Sequence, residues 1–278
     1  MAALSEENLQ TSAAVEASRR ALDEPFERAD LKGQLLRTCA ACNRGFGASA
    51  MDRSNVDSIL ARLSELNPCA EPTAGVTGCP SGVEWVGRGF ENRDDYASGF
   101  TIGAQGPLDG VWRLIYTNAS DVLSLDVNPI AGVGPISQEI TLPDSVVNVI
   151  DLYPRAASLL PLGALRTTTR LRVATRASAR SATRIGLTFE RVGIEARALL
   201  GLDLSKLLPA LSIPLPRIPG SNTAGADSDT SPAFFEVGYL DQDMLLILQN
   251  QPGGAFVLVR ETENEMRMRT DPSAGGDF

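Results

Sequence analysis

Histidine is missing from all 278 residues of the chain, and that one omission removes much of the chemistry a protein of this size could carry. It excludes Ser-His-Asp and Cys-His catalysis, imidazole proton shuttles and every zinc site that uses His. Two constellations of reactive side chains remain. Cys39 and Cys42 are spaced C-x-x-C, as in a redox pair or half a zinc site, with Cys69 and Cys79 further along. A zinc ion would need all four thiols, and their gaps match no common zinc module. Cys39 and Cys42 also fall inside a helical pattern, where Cys serves as a small apolar core residue. Structural thiols are the leading reading, with a regulatory Cys69–Cys79 disulfide and zinc as alternatives. The second constellation is Asp241 and Asp243, neighbours at i, i+2 on a strand end that could in principle do acid–base work. No nucleophile, metal cluster or Gly-rich phosphate loop accompanies them. The expectation is a protein that is not an enzyme and needs no cofactor or metal.

Charge narrows the partners. The net charge is −9, which opposes nucleic-acid binding because that depends on basic side chains displacing counterions. The balance is uneven, however. Residues 166–191 hold seven Arg against one Glu inside an otherwise acidic chain. Such a band is either a solvated strand face or a surface for an anionic membrane or an acidic partner. Apolar residues make up 43% of the chain, enough for a real core. No apolar run reaches the roughly 18 residues a transmembrane helix needs. The opening MAALSEENLQ, with two Glu and no early Lys or Arg, resembles neither a secretory signal nor a transit peptide.

The elements that must position these residues come in two textures. Residues 1–67 read as helices: Ser5 to Leu22, ending near Pro25; Ala29 to Asn43, stopped by Gly45; and a third capped by Ser54, with Val56, Ile59, Leu60, Leu63 and Leu66 as its apolar stripe before Pro68. Residues 68–107 are a Gly-rich loop that either moves or wraps the domain. From 108 to 262 the chain reads as short strands: Val111–Thr117, Val122–Val127, Ile136–Leu142, Val146–Tyr153, Thr168–Ala177, Thr183–Val192, Ala233–Leu240, Leu245–Gln249 and Ala255–Arg260. Residues 263–278 form a polar tail. A short helical stretch is expected after Ile194, leading into a Pro-rich segment whose Leu207, Leu208, Leu211, Ile213, Leu215 and Ile218 are too apolar for an exposed loop. That segment either plugs one mouth of the domain or touches lipid, with plugging favoured. Many antiparallel strands without intervening helices predict a closed barrel or a sandwich.

Three blocks carry a resemblance. Leu31–Pro68 holds a leucine-rich helix ending in N-R-G and a second ending in N-P; Leu108–Ser120 reads LDGVWRLIYTNAS, followed by the Gln138 strand and Val147-Asn148; Tyr239–Glu261 reads YLDQDMLLILQNQPGGAFVLVRE. In this order they resemble the plastid lipid-associated proteins, the PAP/fibrillin family. The resemblance implies a mainly β fold with N-terminal helices, a lipocalin-like (calycin-type) antiparallel β-barrel. It also implies a plastid location at plastoglobules or thylakoids, and non-catalytic binding or containment of prenyl lipids such as carotenoids and quinones. One departure stands out. The family places Arg twice after the acidic pair, where this chain has Leu245 and Leu248. Asp241 and Asp243 therefore face solvent, pair with a distant Arg or cap a turn, and a grip on an anionic head group is not expected of them.

Within such a barrel, Trp112, Leu114 and Tyr116 share one face of their strand, and Phe235, Val237 and Tyr239 share one face of theirs. With Phe189 and Phe256 they make the candidate apolar pocket, since aromatic rings offer broad apolar surface with one polar tip; packing of the barrel core is the alternative. Three functions follow: a lipid-binding or lipid-globule protein, a scaffold for a prenyl-lipid enzyme or photosynthetic complex, and an enzyme built on Asp241 and Asp243. The first is preferred.

Overall fold

The computed structural model describes residues 2–80, 106–155, 168–199, 202–203, 211–214, 234–249 and 253–262, with Glu265. Two helices lead. Helix α1 (Ala2–Ala41) runs straight through Pro25, where a break was expected. Its flanking ion pairs, Arg19–Asp23 and Arg28–Glu24, are worth only tenths of a kcal/mol. A firmer tie is Arg62 of helix α2 (Ala50–Glu65), whose Nε and Nη2 reach both Glu27 oxygens at 2.6 and 3.0 Å, just past the proline. Helix α2 begins five residues before the expected Ser54 cap. Ser49 and Asp52 form a reciprocal capping box, which Ser54 lacks the geometry to supply.

The joint between the helices is the N-R-G triplet. Asn43, Arg44 and Gly45 all have positive φ, at 43°, 59° and 98°. A Cβ on Gly45 would lie 1.9 Å from the Thr117 carbonyl oxygen, so only glycine fits there. Arg44 donates to the Val133 carbonyl at 2.8 Å and also to that of Gly134. Those carbonyls sit at the irregularity in the second strand between Val133 and Ile136. The arginine thus satisfies backbone groups that the strand ladder leaves open.

The strands, in order, are β1 (Gly110–Thr117), β2 (Ala131–Thr141), β3 (Ser145–Pro154), β4 (Thr168–Ala179), β5 (Arg184–Leu199), β6 (Leu202–Asp203), β7 (Leu211–Pro214), β8 (Phe234–Leu240), β9 (Met244–Gln249) and β10 (Gly254–Arg260). They pair in the order β4-β3-β2-β1-β10-β9-β8-β5, and β5 pairs back onto β4. Hydrogen bonds therefore close into a ring of eight antiparallel strands among the described residues. The short β6 and β7 attach to β5 beyond the point where β8 leaves it.

Two expectations fail locally. Val122–Val127 is not a strand but a helical turn, α3 (Ser120–Leu123), followed by a 3-10 turn at Ser124–Val127. Short polar side chains offer its backbone local partners. Thr117 Oγ1 accepts from Ala119 N, Asp121 Oδ1 accepts from Val122 N, and Ser124 Oγ donates to the Asp121 carbonyl. Likewise the residues straight after Ile194 are strand, not helix; 204–210 lie outside the described residues. Strand β5 continues to Leu199, paired with β4 on one edge as far as Ala198 and with β6 at Ala198 and Leu199 on the other.

Two apolar cores result. The inner one draws on all eight strands of the ring and includes Trp112, Leu114, Ile140, Val146, Ala177, Leu187, Val237, Leu245 and Leu258. The outer one lies between the helices and β1, β8, β9 and β10: Leu35, Cys39, Cys42, Val56, Leu60 and Leu63 meet Tyr116, Tyr239, Met244, Leu246, Ala255 and Val257. Strand β9 serves both cores by strict alternation, so Met244 to Ile247 are all buried.

One end of the ring is shut. Residues 69–80 cross it, inserting Val76 and Cys69 against the inner core. The crossing is bonded at Thr73 to the Ser181 and Ala182 carbonyls and at Thr77 to Pro143. The described part of the Gly-rich segment therefore wraps the domain, while 81–105 lies outside the described residues. Beneath the strap Arg260 stacks 4.0 Å over the Trp112 ring and donates to the carbonyls of Pro107, Asp109 and Gln242. Burial pulls its pKa down to about 10, still charged at neutral pH.

Candidate functional site

The other end of the ring carries a different surface. Register fixes which side chains point inward, because paired residues share a face. Buried Trp112 pairs with Gln138, Gln138 with Asn148, Asn148 with Val173, Val173 with Val192 and Val192 with Ile213. One turn of the ladder away, Ile150, Leu171, Ile194 and Leu211 stand abreast on that same face. These aliphatic residues make a continuous wall on the inward side of β3, β4, β5 and β7. Yet Leu211 is 60%, Ile213 50% and Ile194 40% exposed. Seven apolar side chains, each at least partly exposed on one inward sheet face, are suited to an apolar ligand. One polar spot interrupts the wall, the Gln138 Nε2 to Asn148 Oδ1 bond of 2.9 Å.

The expected pocket residues divide. Trp112, Leu114, Phe235, Val237 and Phe256 do gather at the inner core, with the Phe235 and Phe256 rings 5.9 Å apart. Tyr116 and Tyr239 do not; both belong to the outer core against the helices. Each follows a register irregularity, between Leu114 and Tyr116 in β1 and between Val237 and Tyr239 in β8. One extra residue reverses every later side chain, which strict alternation cannot foresee. Phe189 pairs with Thr175 and so faces inward, but it is 53% exposed and stands outside the buried cluster. Sequence reasoning missed Leu171, Val173, Val192 and Ile194 as site residues; alternation within Thr168–Ala177 is the signal that could have found the first two, since it puts Leu171 and Val173 on one face. Of the Pro-rich segment, only Leu211–Pro214 is described, and it lines the open wall as a strand; the rest of the segment lies outside the described residues.

The outward face of the same strands disposes of the basic band. Arg170 grips Asp151 with two bonds of 2.7 and 2.8 Å, Arg172 pairs with Glu139 at 2.6 Å, and Arg176 pairs with Glu190 at 2.8 Å. Arg170 is itself buried; burial disfavours its charge, but Asp151 more than restores it and its pKa is raised. Much of the local positive charge is spent in cross-strand pairs and is not available to an anionic surface.

The acidic pair caps a turn, one of the expected options, and gains two partners that the sequence does not suggest. Asp241 Oδ1 accepts from the Asp243 and Met244 backbone N–H groups, capping the β8–β9 turn. Its Oδ2 accepts from Lys32 Nζ of α1 at 2.7 Å and from the Tyr239 hydroxyl at 2.7 Å. Burial pushes the Asp241 pKa up, but Lys32 and Tyr239 outweigh it and leave the carboxyl below its ordinary range. A lysine from the first helix therefore takes the place of the distant arginine, and it also reaches the solvent-facing Asp243 carboxylate at 3.3 Å. A carboxylate fixed in a turn and neutralised by an ammonium is a clamp between helix and sheet. The C-x-x-C thiols are inert: both are buried in the outer core, and burial pushes Cys39 up to about 12, far from a reactive thiolate.

The family model for PAP_fibrillin matches residues 100–259, more than half of the chain, and spans the ring from β1 to β10. The chain belongs to the PAP/fibrillin family. No curated protein and no solved structure matches it. Among the described residues, no helix is long and apolar enough to cross a membrane. Within this PAP/fibrillin protein the departures at 245 and 248 acquire a meaning. Leu245 is fully buried in the inner core, and Leu248 lies on the opposite, helix-bearing face. An arginine at 245 would place a charge among Leu240, Ile247 and Leu258; leucine keeps that part of the interior apolar.

Proposed function

We propose that the protein is a non-catalytic lipid-associated member of its family, whose ring is a lipocalin-like (calycin-type) barrel holding or containing neutral prenyl lipids of the carotenoid or quinone type. The unit responsible is taken as residues 108–262, with 1–67 as its helical buttress, at a plastid lipid globule or thylakoid surface. The observation that carries the reading is the solvent-open, inward-facing aliphatic wall of Leu171, Val173, Val192, Ile194, Leu211 and Ile213. Leu245 in place of the family arginine favours an uncharged occupant over one with an anionic head. The alternative, a scaffold for a prenyl-lipid enzyme or photosynthetic complex, gains little from the arginine band, because Arg170, Arg172 and Arg176 are paired with carboxylates.

The test is uptake of a prenylquinone delivered from cyclodextrin, followed by quenching of Trp fluorescence and by mass spectrometry of the extracted protein. Wild type should take up the quinone in stoichiometric amount. The double variant Leu211→Ser, Ile213→Ser should bind about tenfold more weakly or worse, since each aliphatic side chain buried against a ligand is worth about 1.5–3 kcal/mol. Both positions are exposed, so the melting temperature should hold. Equal uptake by the variant, or none by wild type, would overturn the proposal.

A further inference from the structure

The connection between β1 and β2 presents apolar side chains that no packing argument accounts for. Val127 is 80% and Ile130 76% exposed, and Leu125 of the preceding turn is exposed as well. The segment reaches β2 at Ala131, opposite Pro154 at the far end of β3, so it stands at the open end of the ring. Several of its backbone and charged groups are also satisfied from within. Asn128 Oδ1 accepts from the Ile130 and Ala131 N–H groups, Pro129 has no N–H, and the Ile130 carbonyl accepts from Arg155 N at 2.9 Å. The Arg155 guanidinium donates to the Asn128 carbonyl, to the Asp126 carbonyl and to the Asp126 carboxylate at 2.7 Å. The one acid and the one base of residues 124–130 and Arg155 are thus paired with each other. Asp121, at the start of the helical turn, bonds the adjacent Val122 N–H on the aqueous side.

A protein partner would be met by free donors and acceptors around the apolar tips. A hydrocarbon phase penalises them, because each unsatisfied polar group left in it costs free energy. The combination of exposed aliphatic tips, an internally bonded backbone and a self-neutralised ion pair matches the second case. We infer that Leu125, Val127 and Ile130 insert into the uncharged surface layer of a lipid globule, setting the open end of the ring against the lipid. The inference rests on the proposed lipid role and adds to it which end docks and what kind of surface it accepts. Neutral lipid is specified by charge: the chain carries −9 overall, and this segment offers no unpaired cation to an anionic head group.

The experiment is flotation of the full chain with triacylglycerol droplets coated in phosphatidylcholine, with or without one-fifth phosphatidylglycerol, at low and high salt. Wild type should float with the uncharged droplets at both salt concentrations. Val127→Asp, Ile130→Asp should cut the floated fraction at least about tenfold, with an unchanged far-UV spectrum and melting temperature. Leu22→Asp, Phe26→Asp, which alters two exposed apolar residues of α1, should float like wild type. Flotation of the rim variant at the wild-type level, or flotation that needs the anionic lipid and vanishes in salt, overturns the inference. So does a wild-type dimer that the rim variant converts to monomer without loss of flotation. The quinone-uptake assay uses no droplets. Rim-dependent flotation without uptake would leave this inference standing and remove the ligand, and uptake without rim-dependent flotation would do the reverse.

Discussion

At the strapped end of the ring Trp112, Leu240 and Leu245 have lost all contact with water, while at the other end Leu211, Ile213 and Ile194 on the same inward face stand in it. The residue types are alike and the strands are continuous, so the difference lies in what covers them. The strap of residues 69–80 and the Arg260 guanidinium lie across one mouth. No comparable layer covers the aliphatic wall among the described residues at the other. Apolar area that is buried stabilises the fold by about 25 cal/mol per Å², whereas area left open contributes nothing until something binds. One end of the ring is therefore invested in stability and the other is held for an occupant.

The sharpest way to break that division is to truncate one residue at each end. Trp112→Ala removes the ring under Arg260 and should cost about 3–5 kcal/mol in urea unfolding. Ile213→Ala at the open end should stay within about 0.5 kcal/mol of wild type. Comparable losses would mean that the two ends do not differ as described.

A smaller effect is expected where the helices are clamped to the sheet. Asp241→Asn leaves Lys32 with only the exposed Asp243 carboxylate at 3.3 Å and should cost about 1–3 kcal/mol. Because the folded-state pKa of Asp241 is lowered, its contribution is complete above the unfolded value near 4 and is lost as pH falls through the folded value. Chemical denaturation between about pH 7 and pH 2 should show wild type losing its advantage over Asp241→Asn below about pH 4.

The smallest change concerns the two displaced tyrosines. Tyr116 has a buried hydroxyl with no hydrogen-bond partner, and burial pushes its pKa up to about 12. Tyr116→Phe should be neutral or stabilising by a few tenths of a kcal/mol. Tyr239→Phe loses the bond to Asp241 and should cost about 1 kcal/mol. Thermal melts of the two single variants suffice to tell them apart.

How far the sequence could be read follows from the range of the forces involved. Alternation in Thr168–Ala177 is a local pattern, and so is the run Gln251-Pro252-Gly253-Gly254, whose residue types favour a turn; strands β4, β9 and β10 lie where such patterns put them. The inward placement of Trp112, Leu114, Phe235 and Val237 follows from the same period of two. That period ends at an inserted residue. The type of Ile115 gives no sign of one, while Gly238, a glycine inside a strand, is a bulge signal that a strict period of two passes over. Tyr116 and Tyr239 therefore lie on the face opposite to the expected one. Pro25 and Ser54 were misjudged because tertiary contacts from Arg62 and a better cap at Ser49 outweighed the local signal. The wall residues on β5 depend on β7, a four-residue strand whose pairing no window of sequence reveals.

Lys32 and Asp241 are 209 residues apart, and the outer core joins α1 and α2 to the last three strands of the ring. On a chain made from its N-terminus, the helices emerge first and present Leu35, Val56, Leu60 and Leu63 to water until β8, β9 and β10 exist. Closing so long a loop is slow, and an apolar stripe that waits for it is a target for aggregation. The protein's vulnerable interval during synthesis is thus written into its topology: the earliest elements made are satisfied only by the latest, and whatever shields that stripe in the cell has to hold it for nearly the whole length of the chain.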